Sequence, residues 1–314
     1  MNERTKNFQG LRLLFLLGIA FMHADMKFIG EGWLICTFFF VLSGFLYKQP
    51  EKWGVYYKKK LLKIFPLYWL SLVVCIFVRH IAVKWDIIPH VLLLQSYIPS
   101  PSVAPYYYEY VGVSWFISSL LFCYVISPPL YMLVTKIKKS NVQLVLVTLV
   151  LVMFILRSSL RFHDGYGIWL FYISPFYRIL EYLTGMLLAI MIRNLEPRKM
   201  QGQEIISILL VFLIVFYLRK GLAVEFIPVV FLFFIYYVYM YKSVLMDVVF
   251  GNKVVVFIAR YGMALYLFHQ FLFFFFWETN GFSRFNAILT AIIVSVAIGY
   301  CYSKILSIFT RKKS

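Results

Sequence analysis

The sequence predicts an all-α, polytopic membrane protein of about ten transmembrane helices with both termini in the cytosol, and three observations lead there. First, 62% of the residues are hydrophobic and 14% charged, where soluble domains run near half and a quarter. One globular core does not absorb that excess, so lipid must solvate much of the chain. Second, apolar runs of spanning length recur near 11–28, 32–47, 64–80, 114–134, 142–160, 172–192, 204–219, 222–241, 257–277 and 285–308. Third, the basic residues behind the net charge of +18 cluster between those runs. That placement fits topology control by positive loops and speaks against a nucleic-acid partner.

The first run follows Arg4, Lys6 and Arg12. It reads as an uncleaved first helix, because further spans come at once and no small-residue cleavage site follows. With the N-terminus inside, the Lys58–Lys60 and Lys63 cluster, Lys136/Lys138/Lys139, Arg193/Arg198/Lys199 and Arg311/Lys312/Lys313 share the cytosolic side. Scattered cations, among them Lys27, Arg79, Lys84 and Arg284, fall on the other. The longest stretch without a span, 81–113, holds Pro89, Pro99, Pro101 and Pro105. It reads as a loop with one interfacial helix around His90–Ser96. Its Pro/Tyr segment 97–110 either stacks on sugar rings or lies in the lipid interface. The short 219–225 connection predicts a tight helical hairpin. Cys36, Cys75, Cys123 and Cys301 lie in apolar runs without ligand spacing and read as buried hydrophobes; no metal is expected. With no repeat or linker, residues 1–314 form a single membrane domain.

Ionisable groups within a membrane are expensive and mark function. Arg12 and His23 are eleven residues apart; at about 100° per residue they face within roughly 20° of one direction, about 16 Å apart along the axis. One stripe therefore carries an anion-binding fork at the cytosolic end and a potential general base beyond the midplane. The plainer alternative is a snorkelling Arg and a packing His. Lys59, Lys60 and Lys63 share a face below the third span, suited to nucleotide phosphates or, equally, to anionic lipid heads. Arg178 and Glu181, three apart, can pair on one face. The pair either lowers the cost of insertion or lets Glu181 orient an active-site group. His269, with Gln270 beside it, is a packing residue or a second polar wall. Asp25, two residues from His23, points elsewhere and is a poor relay partner. The chain has no P-loop, G-x-S-x-G or H-E-x-x-H, which argues against ATP-driven pumping, serine hydrolysis and zinc proteolysis.

Arg12-x10-His23 resembles the first-helix signature of the acyltransferase 3 family of membrane O-acyltransferases. The stretch from Phe39 to Leu46, containing Ser43, resembles that family's second-helix motif, and Lys60 to Trp69 its basic approach to helix three. Ser114-Trp115-Phe116 is similar to its helix-four motif, Arg178-x-x-Glu181-x-x-x-Gly185 to its Arg–Glu–Gly stretch, and Tyr266-Leu267-Phe268-His269 to its late Tyr-Leu-x-His. The order is kept along nearly the whole chain. Lys60 and Lys63 stand where Arg is commoner. Ser118 and Ser119 replace an acidic pair, a pattern closer to the polysaccharide and capsule branches. With helix ten as the last span, no fused hydrolase-like domain is expected to complete the transfer. The resemblance implies an acyl-coenzyme A donor, acetyl by default and succinyl next, and makes His23 the catalytic residue.

The expected function is O-acyl transfer from cytosolic acyl-coenzyme A to a hydroxyl of a cell-surface or lipid-linked glycan, in the cytoplasmic (inner) membrane. Expected catalytic residues are His23 and Glu181; expected donor contacts are Arg12, Lys60 and Lys63. Ser43, Trp115, Arg178 and His269 are further cavity candidates. A transporter or flippase of a lipid-linked glycan is the main rival, and a sensor or scaffold the third reading.

Overall fold

A computed structural model describes residues 5–100, 106–159, 165–221 and 224–311. Arg4, Pro101, Pro105, Lys312 and Lys313 lie outside them. Among the described residues the chain is helical, with one isolated bridge between Arg198 and Tyr241. The helices are α1 (Asn7–His23), α2 (Gly32–Phe45), α3 (Trp53–Arg79), α4 (Ile87–Val91), α5 (Ser114–Thr135), α6 (Lys139–Ser159) and α7 (Gly165–Ile168). They continue as α8 (Pro175–Ile192), α9 (Gln203–Lys220), α10 (Ile227–Met240), α11 (Val244–Val249), α12 (Lys253–Ala259), α13 (Gly262–Phe274) and α14 (Arg284–Arg311).

Each of the ten apolar runs falls on a helix, but fewer helices are spans by length and apolarity. Among the described residues five qualify, α3, α5, α6, α14 and the Gly165–Ile192 stretch ending in α8, or six if bent α12–α13 is counted as one. The reason is physical. The 14-residue α2 reaches only about 21 Å, short of a hydrocarbon core near 30 Å. It is apolar because protein surrounds it: Leu34, Ile35, Phe38, Phe40, Val41 and Leu42 are all buried. The ninth run breaks between Ala259 and Gly262 with a 65° bend. At the perimeter, Phe77 on α3, Leu144 on α6 and Ile293 on α14 are exposed, the pattern of lipid-facing helices.

Helix α8 is central and crosses α2 at backbone distance. A Cβ on Gly44 would strike the Tyr182 carbonyl oxygen, and one on Gly185 the Val41 carbonyl oxygen. Small residues let backbones approach where lipid removes the hydrophobic drive. On the other side of α2, Phe38 packs with Phe15 of α1 at 4.4 Å and Phe231 of α10 at 5.4 Å between ring centroids. Helix α13 lies between α1, α3 and α14.

The predicted interfacial helix at His90–Ser96 is instead α4 plus a 3-10 turn at Gln95–Tyr97. Tyr68 donates to the His90 carbonyl at 2.7 Å and Trp69 to that of Val91 at 2.9 Å, tying the segment to α3. Ser118, at a position of the missing acidic pair, donates to Leu93 O at 2.5 Å; Ser119 donates to Ile173 O at 2.6 Å. Ser118 anchors the turn after α4, and Ser119 the π-helical turn Trp169–Ile173 that precedes α8. The His90 ring is buried between Tyr106 and Tyr110, and that burial pulls its pKa down to about 4. Of the cysteines, Cys301 departs from expectation: it is exposed on α14.

Candidate active site

His23 ends α1 and His269 sits midway along α13. Their rings meet: His23 Nδ1 lies 2.9 Å from His269 Nε2. The other nitrogen of His269, Nδ1, faces two backbone carbonyls, Leu265 O at 3.0 Å and Tyr266 O at 2.8 Å. Carbonyls only accept, so Nδ1 carries the hydrogen. In the neutral ring Nε2 is then bare and accepts from His23 Nδ1–H. His23 is left with a bare Nε2, the form a general base needs. His269 is buried and His23 half-buried.

His23 lines a cavity of about 460 Å³. Its walls include Trp33 from α2, Arg79 from α3, Trp115 from α5 and Tyr266 and Gln270 from α13, with Tyr108, Tyr110 and Tyr172 between helices. Tyr266 donates to Val113 O at 2.8 Å, and Gly112 approaches Gln270 so closely that a Cβ would lie 2.6 Å from its amide oxygen. Both contacts press the 106–113 segment onto α13 as a wall. Aromatic faces around a few polar groups suit sugar rings.

Not all expected residues join this cavity. Trp115 does; Ser43 is not on its lining. Glu181, expected beside His23, is engaged elsewhere. Its two oxygens accept from Arg178 Nη1 at 2.6 Å and Thr37 Oγ1 at 2.9 Å, all fully buried. Arg178 Nη1 also reaches Thr37 Oγ1 at 3.1 Å, and Nε donates to Tyr172 O at 2.8 Å. Its guanidinium stacks 5.5 Å from Tyr172 and 5.9 Å from Trp115, two cavity walls. The pair therefore backs the wall instead of lining the cavity. Removing one partner strands a buried charge. Glu181→Ala should cost about 3–5 kcal/mol. Thermal unfolding in detergent should show this, and the double replacement Arg178→Met with Glu181→Leu should recover much of it.

At the opposite end of α1, Arg12 comes together with Lys60 and Lys63 around Tyr124 of α5. The Lys60 ammonium lies 3.6 Å over the Tyr124 ring. None of the three has a carboxylate partner among the described residues. Such a cluster attracts anions. Between the two ends lie Leu16 and Ile19, on the same face of α1; both are apolar and buried, and Ile19 lines the His23 cavity. The stripe expected along α1 thus has two polar ends and an apolar middle. Asp25 pairs with Arg284 at 2.6 Å, away from His23 as expected.

Sequence reading missed the His23–His269 contact, Tyr124, and Arg79 as a cavity residue. The hydrogen bond joins residues 246 apart, and Tyr124 carries no local mark among 24 tyrosines. Arg79 had a legible signal, a cation closing an apolar span.

No curated protein and no solved structure matches the chain. One family model does, that of the acyltransferase 3 family, described as an acyltransferase domain, and it matches residues 5–304. With that match over nearly its whole length and long apolar helices able to cross a membrane, the chain belongs to the acyltransferase 3 family and is a membrane acyltransferase.

Proposed function

We propose that the protein moves an acyl group, acetyl by default, from cytosolic acyl-coenzyme A to a hydroxyl of a cell-surface or lipid-linked glycan, with His23 as general base. The observation that carries this reading is the His23–His269 hydrogen bond at a cavity wall, which leaves His23 Nε2 bare. The acceptor hydroxyl gives its proton to Nε2 as its oxygen attacks the thioester carbonyl. The C–S bond breaks, and the departing thiolate takes the proton back from His23. Arg12, Lys60 and Lys63 hold the nucleotide phosphates of the donor, which their uncompensated charge supports. Trp115 is part of the acceptor wall, His269 fixes the His23 ring, and the Arg178–Glu181 pair sets the wall behind it.

The same reading places the protein in the cytoplasmic membrane with both termini cytosolic, all ten apolar helices traversing the protein's thickness and the shorter ones sheathed by the longer. It also assigns the chain to a polysaccharide-modifying branch, supported by Ser118 and Ser119 in place of an acidic pair.

The donor assignment is tested by steady-state kinetics on purified protein. Arg12→Ala or Lys63→Ala should raise the KM for acetyl-coenzyme A about tenfold, the weight of one charged contact, with a smaller change in acceptor KM. A larger rise in acceptor KM than in donor KM would contradict the assignment. Loss of the protein from the membrane without a kinetic change would make these residues topology signals.

A further inference from the structure

Arg79 closes α3 and lines the cavity that holds His23. Among the described residues it is the only Lys or Arg that lines the cavity, and none of them adds an Asp or Glu to the lining. Its guanidinium rests 5.2 Å over the Phe274 ring, another wall residue. Among the described residues it has no ion pair. Of the other cations on that side, Lys27 pairs with Glu31 and Arg284 with Asp25, each at 2.6 Å. An aromatic-walled cavity with one unmatched cation favours an anion within it.

We infer that the acceptor is an anionic glycan, and that Arg79 grips its oxyanion while the aromatic walls hold its rings. This deepens the glycan-acceptor reading and rests on it. The oxyanion is a sugar carboxylate or the diphosphate joining a glycan to its lipid; both offer the paired oxygens that a guanidinium fork binds. Phe274 lies five residues beyond His269 on α13, about 7.5 Å along the axis. At that spacing the anion belongs to the reacting sugar or its neighbour.

The test uses the full-length protein in proteoliposomes with labelled acetyl-coenzyme A. The acceptors are glycans from the envelope of the producing cell, separated by anion exchange into neutral and anionic fractions. Label should enter the anionic fraction preferentially. Carbodiimide and borohydride reduction of its carboxylates should remove the preference if the anion is a sugar acid. Mild acid cleavage from the lipid should remove it if the anion is the diphosphate. Arg79→Gln should lower the preference about tenfold, through KM for the anionic fraction, and Arg79→Lys should lower it less. An unaltered thermal midpoint establishes that these variants of an exposed residue are folded. Equal labelling of both fractions, or a preference that survives Arg79→Gln, overturns the role of Arg79 and leaves the glycan acceptor standing. Label entering no glycan overturns the acceptor reading itself, and this inference with it.

Discussion

His23→Ala should leave a folded, membrane-inserted protein whose acyl transfer has fallen by about 10²–10⁴-fold. The size follows from the loss of general-base assistance. The half-buried ring opens on a cavity, so its removal should cost little packing. The loss should lie in kcat, with donor KM little changed, because Arg12, Lys60 and Lys63 gather at the far end of α1. His23→Gln keeps a polar side chain of similar reach but has no basic nitrogen, and should be equally inactive. Near-full turnover by either purified variant would remove His23 from the mechanism.

The second large effect concerns His269, a positioning residue that acts through His23. His269→Ala should lower kcat about 10–100-fold, by analogy with the partners that orient metal-ligating imidazoles. A structural role alone would predict a similar loss, since His269 is fully buried. His269→Gln separates the two. The Gln amide oxygen can accept from His23 Nδ1–H, while a shape-filling His269→Phe cannot. Recovery of turnover by Gln but not by Phe, at matched thermal stability, is the expected result. Equal activity of Gln and Phe would reduce His269 to packing.

What was legible in the sequence follows from the length scale of each feature. Spacing within one helix fixes which residues share a face, so the Arg12–His23 stripe and the Arg178–Glu181 pair could be read from register alone. Apolarity was a less direct guide. It marks every helix removed from water, whether lipid or protein surrounds it, and so α2 and α10 read as full spans although each has 14 residues. The bend before Gly262 left the ninth run looking continuous, because both of its arms are apolar. The cavity was the least legible feature. Its wall takes residues from α1, α2, α3, α5, α13 and the loops between, and no local pattern ties Trp33 or Tyr172 to His23. The pairing of His23 with His269, and the engagement of Glu181 by Arg178 and Thr37, are tertiary facts of the same kind.

The central claim is that one chain joins a donor bound at the Arg12 end to an acceptor held at the His23 end. Sealed proteoliposomes test it most directly. They are sorted by orientation with a membrane-impermeant thiol reagent, using Lys59→Cys in a background without the four native cysteines. Labelled acetyl-coenzyme A is supplied only on the face that exposes position 59, and acceptor glycan only on the other. Label should accumulate on the glycan across the bilayer, and this should be lost in His23→Ala. Transfer only when donor and acceptor share a face would contradict the claim.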